Sequence, residues 1–209
     1  MDSKLVDYKE KRNLDKSLEP EGSVEESDEV LRFVIQHHLA RRDHYDLRLE
    51  WRGVLLSWAV PKGPSYSTKD KRLAIHVEDH PLDYRNFRRV LFRSNFEGTI
   101  PKGEYGGGVV MLWDEGYWEP YKNVDEGLEK GELKFTLKGS RLKGKWALIR
   151  LKAKEGNSKD NWLLLKERDD YANTPFDLSQ FYTSIRTGRT MEEIEGGADE
   201  KIIRNPFTH

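Results

Sequence analysis

The sequence predicts a mainly β protein: a compact antiparallel β-barrel of about eight strands with short peripheral helices. Two observations carry this. Eight short runs rich in β-branched, aromatic and leucine residues, at 32–38, 44–51, 54–60, 72–78, 108–113, 132–138, 145–152 and 161–166, are separated by Gly, Asn, Asp or Lys-Gly turn signals. The clearest of them alternates strictly, with His44, Asp46, Arg48 and Glu50 at even positions and Tyr45, Leu47, Leu49 and Trp51 at odd ones. That is the period of a half-buried strand, with the odd face toward the core.

Along the chain, residues 1–30 are polar and mixed in charge, are broken by Pro20-Glu21-Gly22, and read as an amino-terminal arm. Residues 31–187 form the barrel. Its first pair, 32–38 and 44–51, flanks a polar connector from Leu39 to Asp43, so a hairpin centred on Arg41 is the simplest register. The run PKGEYGGG at 101–108 lacks a Walker pattern and precedes no helical period, which predicts a bulge or tight bend rather than a phosphate cradle. Pro-Lys-Gly also occurs at 61–63, and Lys62 and Lys102 read from sequence as turn lysines. Residues 188–209 hold a short helix and tail: Thr190-Met-Glu-Glu193 fits a capping box, with a stop near Gly196-Gly197.

Composition narrows the function classes. At 209 residues the chain has room for one well-buried domain with extensions. Its 36 basic and 37 acidic side chains leave a net charge of −1, so overall charge draws no polyanion and any such site must be local. There are no cysteines, no apolar run of the ~18 residues a membrane span needs, and a charged amino terminus. A reducing, cytoplasmic setting without membrane association is expected.

The hairpin register has a chemical consequence. It sets His38 opposite His44 and Gln36 opposite Asp46, and directly opposed Cβ atoms lie about 4.5–5.5 Å apart. His38, His44 and Asp46 then converge on one small volume. Two imidazoles and a carboxylate suit a divalent cation such as Mn²⁺, Fe²⁺ or Zn²⁺, and three protein ligands leave positions open, as in a catalytic site. A solvated polar face is the plainer reading of the same spacing. A second titratable group lies in RLAIHVEDHPLDY at 72–84, where His76, Glu78 and His80 alternate with Ile75 and Val77, Pro81 ends the ladder and Tyr84 follows.

Together these segments resemble the 3′-phosphoesterase module of bacterial ligase D, an end-healing domain of non-homologous end joining that also occurs free-standing. The likeness runs through YKEKRNLDKSLEPEG at 8–22, FVIQHHLARRDHYDLRLEWRGVLLSWAVPKGPS at 33–65, KRLAIHVEDHPLDY at 71–84, FEGTIPKGEYGGGVVMLWDEG at 96–116 and NWLLLKERDDYA at 161–172. The resemblance implies a β-barrel with a Mn²⁺ site, Co²⁺ or Zn²⁺ serving as substitutes. It implies removal of a 3′-terminal ribonucleoside and hydrolysis of the resulting 3′-phosphate on DNA primer-template ends. A separate ligase, polymerase or Ku-type end-binding protein is the implied partner. His38, His44 and Asp46 fall on the family's metal ligands. Arg48, Lys62 and Arg72 match its basic residues around the phosphate, and His80, Glu78, Tyr84 and Gln36 match polar groups lining the site. Arg12 and Glu19 match arm residues needed at the terminal ribonucleoside.

Two departures stand out. The family's Arg-Asp pair in the arm reads Arg12-Asn13 here, removing a carboxylate that could accept from a ribose hydroxyl. In NFRRVLFRSNF at 86–96, Asn-Phe occurs twice around seven residues the family lacks. RRVLFRS is one translation of AGACGTGTGCTCTTCCGATCT, a string resembling sequencing-adapter DNA, so Arg88, Arg89 and Arg93 receive no role. Two other function classes compete. His44-Tyr45-Asp46 fits half of a non-haem iron oxygenase triad, although such a site has less use for Arg48, Arg72 and Lys62. A DNA-end binding module without catalysis is the other.

Overall fold

The computed structural model describes residues 30–81, 96–104, 106–152 and 160–197, with the backbone alone at His80 and Pro81. Arg12, Asn13, Glu19, Tyr84 and the arginines of the insertion lie outside these residues.

Among the described residues, ten strands form one sheet: β1 Arg32–Leu39, β2 Asp43–Trp51, β3 Val54–Val60, β4 Arg72–His76, β5 His80–Pro81, β6 Gly98–Ile100, β7 Gly108–Pro120, β8 Glu132–Gly139, β9 Lys143–Arg150 and β10 Asn161–Lys166. The order β1-β2-β3-β4-β10-β9-β8-β7 closes through a β1–β7 ladder into an eight-stranded antiparallel barrel, with β6 beside β7 and β5 beside β3. The ring strands are the eight runs expected from sequence. Closure removes the exposed edges that an open sheet of this length would leave.

β9 lies two residues earlier than expected, at Lys143–Arg150, and two other strands differ in extent for a local reason. β7 runs to Pro120 instead of ending near Trp113. A bulge lies there, because Ile35 pairs with Asp114 while Gln36 pairs with Leu112. The extra residue inverts the alternation. Val109, Met111 and Trp113 face the core before it and Trp118 faces the core after it. β4 stops at His76 rather than residue 78. Val77 N–H still bonds the Ser57 carbonyl, and pairing with β3 resumes at His80 opposite Leu55, its offset changed by one residue. The expected strand through Glu78 is therefore interrupted after His76. Ile75 and Val77 are not the core side: Ala74 is fully buried in the core, Leu73 is exposed, and His76 packs its ring 5.0 Å from that of Trp58.

The interior is aromatic. Trp58, Trp113, Trp118, Trp146, Trp162, Phe33 and Phe135 are fully buried. Such side chains remove about 150–250 Å² each from water and favour edge-to-face contacts, seen between Trp118 and Phe135 with centroids 5.9 Å apart at 90°. Indole N–H groups are paired where a carbonyl is in reach, as for Trp118 with Glu50 at 3.1 Å and Trp113 with Phe181 at 3.0 Å.

Helix α1, Val124–Lys130, has no counterpart in the sequence reading. Its signals are nonetheless local: the Asn123 side chain accepts from Glu126 N–H, and Gly131 takes the left-handed conformation at φ 76°. Helix α2, Met191–Glu195, starts at Thr190 with the capping box expected and buries Met191 and Ile194. The PKGEYGGG run makes successive tight turns, Glu104 N–H to the Pro101 carbonyl and Gly107 N–H to the Glu104 carbonyl, and delivers the chain into β7.

Candidate metal centre

The β1–β2 ladder has the register inferred from sequence: Gln36 opposite Asp46 and His38 opposite His44. Odd positions of β2 enter the core, so Asp46 and Arg48 project from the outer face of the barrel wall. One ligand atom from each of His38, His44 and Asp46 lies within 4.8 Å of the other two. His44 Nε2 is 3.4 Å from Asp46 Oδ1, His38 Nδ1 is 3.9 Å from Asp46 Oδ2, and the imidazole centroids are 4.8 Å apart.

Each donor is prepared for a cation. The Arg42 carbonyl lies 2.8 Å from His44 Nδ1, which must carry the proton to bond it; the lone pair is then on Nε2, beside Asp46. His38 is only 6% exposed. Burial holds its imidazole below the usual histidine range; the Asp46 carboxylate opposes this and His44 adds to it. A neutral ring is the ligating form. His38 Nε2 is buried with no hydrogen-bond partner among the described residues, whereas it is Nδ1 that faces the Asp46 carboxylate, so the fit rests on the donor set of two imidazoles and a carboxylate. The residues present thus fit a divalent metal. The third histidine of the cluster is accounted for otherwise: His37 stacks on Tyr45 at 4.3 Å and pairs with Asp43 at 2.7 Å.

Arg48 joins this trio to the sheet. Its Nη2 lies 3.3 Å from Asp46 Oδ2, its Nε donates to Gln36 Oε1 at 2.9 Å and its Nη1 reaches Ser57 Oγ at 3.5 Å. Gln36 in turn donates from Nε2 to the Phe96 carbonyl at 2.7 Å. Ser57 and the Phe96 carbonyl were missed from sequence. Ser57 had a signal, being the one polar residue in the strand VLLSWAV and directly opposite Arg48. The glycine loop also bears on the site: a Cβ at Gly106 would sit 3.8 Å from the His38 ring, and one at Gly108 would sit 3.1 Å from His38 Nε2.

The other sequence candidates are only partly brought together. Lys62 is exposed in the turn after β3, two residues beyond Val60, which pairs with Tyr45 at the His44 end of β2. Arg72 opens β4 and bonds Asp70 at 2.8 Å, while its buried Nε lacks a partner among the described residues. Glu78 falls in the break between β4 and β5. The His80 backbone pairs with Leu55 on β3, the strand next to that of Arg48 and Asp46. Tyr84, Arg12 and Glu19 lie outside the described residues.

Comparison with known proteins places the chain in a family. The model of the DNA ligase D 3′-phosphoesterase domain matches residues 36–150, a stretch that begins at Gln36 and includes all three candidate ligands. The chain is 44% identical over 205 residues to the multifunctional non-homologous end joining protein LigD of Pseudomonas aeruginosa, covering 96% of this chain and 23% of the relative. It is 41% identical over 183 residues to LigD of Mycolicibacterium smegmatis, covering 84% of this chain and 22% of that protein. It is 42% identical over 193 residues to the multifunctional non-homologous end joining DNA repair protein LigD of Mycobacterium tuberculosis, covering 92% and 23%. The chain thus spans less than a quarter of the length of these relatives. Among the described residues, no helix is long and apolar enough to cross a membrane. The chain belongs to the DNA ligase D 3′-phosphoesterase domain family.

Proposed function

We propose that this protein is a Mn²⁺-dependent phosphoesterase that heals DNA 3′ ends, removing a terminal ribonucleoside and then hydrolysing the 3′-phosphate to a 3′-hydroxyl during non-homologous end joining. The observation that carries it is the convergence of His38, His44 and Asp46, with Arg48 held against the carboxylate. Phosphate monoesters hydrolyse very slowly in water, so a catalyst must place positive charge on the non-bridging oxygens and present a nucleophile in line.

His38, His44 and Asp46 would hold the cation. When bound, it supplies Lewis acidity and an acidified water. Co²⁺ or Zn²⁺ suit the same donors. The chain's own groups do the rest. Arg48, fixed by Gln36, Asp46 and Ser57, sets a guanidinium beside the cluster, where it neutralises phosphate charge. Lys62 and Arg72 would add positive charge around the phosphate. His80 would stabilise the transition state or give a proton to the leaving oxygen, with Glu78 or Tyr84 orienting it. Arg12 and Glu19 read the terminal ribose. The substrate is a primer-template 3′ end, and a separate ligase, polymerase or Ku-type protein would use the healed end in the cytoplasm.

The test is a labelled primer-template ending in a 3′-phosphate or a single ribonucleotide, incubated with Mn²⁺ and resolved on a gel. Both ends should become 3′-hydroxyl, and Asp46→Ala should abolish the conversion. A wild-type protein that binds the duplex but leaves both ends unchanged would contradict the proposal.

A further inference from the structure

The segment after β10 returns to β7 and to the start of β6. Ile185 N–H donates to the Leu112 carbonyl at 3.1 Å, and the Leu112 amide donates to Glu97 Oε2 at 3.1 Å. Leu112 adjoins the β7 bulge and is the ladder partner of Gln36. The other oxygen of Glu97 accepts from Arg189 Nη2 at 2.8 Å and Nε at 3.3 Å, and from the Thr187 hydroxyl. The Glu97 side chain is 7% exposed and that of Arg189 13%. A carboxylate this buried is costly unless it is paired and hydrogen-bonded, and here the arginine, the hydroxyl and a backbone amide do so.

One residue before Glu97, the Phe96 carbonyl accepts from Gln36 Nε2. That bond fixes which way the Gln36 amide points. Its oxygen must then face Arg48, and Arg48 Nε donates to it while Nη2 meets Asp46. With the Phe96 carbonyl displaced, the amide is free to turn over and present N–H groups to the guanidinium, a donor against a donor.

We propose that Glu97, held by Arg189 and Thr187, is a positioning residue for the Asp46 ligand, acting through the Phe96 carbonyl, Gln36 and Arg48. This rests on the metal reading given above. It assigns residues 183–190, beyond the segment matched by the family model, to the support of the site. A simpler role would be to fasten the carboxy-terminal segment to the barrel, and the two roles differ in what they couple to. A fastening acts on stability alone; a positioning residue acts on metal affinity, and only while Gln36 is there to transmit it.

The experiment is a double-mutant cycle read by Mn²⁺ calorimetry on the full chain, with thermal melting followed by tryptophan fluorescence. Removing a partner outside the ligand shell typically costs about 10- to 100-fold in metal affinity. Glu97→Gln, several bonds from the cation, should weaken Mn²⁺ binding about three- to tenfold in the wild-type background and add nothing to Gln36→Ala. Wild-type affinity in Glu97→Gln, or the same further loss in the Gln36→Ala background, would overturn the inference. A wild-type protein with no saturable Mn²⁺ binding would overturn the metal reading and this inference with it. If Glu97→Gln does not fold, Arg189→Lys, which keeps the charge but loses the fork, enters the same cycle with the same criteria.

Discussion

Asp114→Asn should change how stability depends on pH. Asp114 is fully buried beside the bulge, and its two oxygens accept from Arg141 N–H at 2.9 Å and Leu142 N–H at 2.7 Å, closing the turn between β8 and β9. Burial pushes its carboxyl up to about 7, against the pull of those amides and of the Arg141 guanidinium. The unfolded chain returns it to the ordinary value near 3.8. Between these values the folded state keeps a proton that the unfolded state has lost, so the acid's stabilisation is complete below about pH 4 and is lost as pH rises to 7. Each unit of that window is worth at most about 1.4 kcal/mol, which makes roughly 2–3 kcal/mol between pH 5 and pH 8. Asparagine does not titrate, and it leaves one of the two amides facing an N–H donor, at a cost of about 1–3 kcal/mol. Urea denaturation of both proteins at pH 5 and pH 8 isolates the effect, because other titrating groups cancel in the difference. The wild-type advantage over Asp114→Asn should shrink by roughly 2–3 kcal/mol from pH 5 to pH 8. An advantage independent of pH would refute the argument.

Three further outcomes follow from the same structure. Gly108→Ala puts a Cβ 2.5 Å from the Leu39 carbonyl oxygen and 3.1 Å from His38 Nε2, at a φ of +153°; strain of this kind costs roughly 1–3 kcal/mol, so melting temperature and Mn²⁺ affinity should fall together, and a variant that kept both would disprove the close packing on His38. Arg12→Ala or Glu19→Ala should slow ribonucleoside removal about 10- to 150-fold, the worth of a hydrogen bond to a charged group, with little effect on 3′-phosphate hydrolysis. Asn13→Asp should raise the first reaction alone, and single-turnover rates on the two substrates decide, equal losses counting against the sugar-reading role. Deleting residues 88–96 joins Phe87 to Glu97 and offers the Phe87 carbonyl to Gln36 in place of that of Phe96; activity should be kept or raised, and its loss would show that the insertion belongs to the fold.

What the sequence revealed and what it hid have physical causes. The ligand trio was legible because a short polar connector between two alternating strands admits one simple register, and register decides which side chains are opposed. The eight ring strands were legible for the same reason, each carrying its own period. β7 was cut short because a bulge inverts its alternation, and the charged stretch that follows Trp113 then reads as a turn although Trp118 is in the core. β4 was drawn too long because Ile75 and Val77 mimic an apolar face, while the strand ends at His76 and that histidine packs on Trp58. The bond between Glu97 and Arg189 joins residues 92 apart and is created when the carboxy-terminal segment folds back on β7, so no local pattern announces it.

The most direct test of the account is anomalous diffraction from crystals soaked in Mn²⁺. A single strong peak within bonding distance of an imidazole nitrogen of His38, of His44 Nε2 and of an Asp46 oxygen is the predicted result. No peak at this trio, or a peak held by other residues, would contradict it.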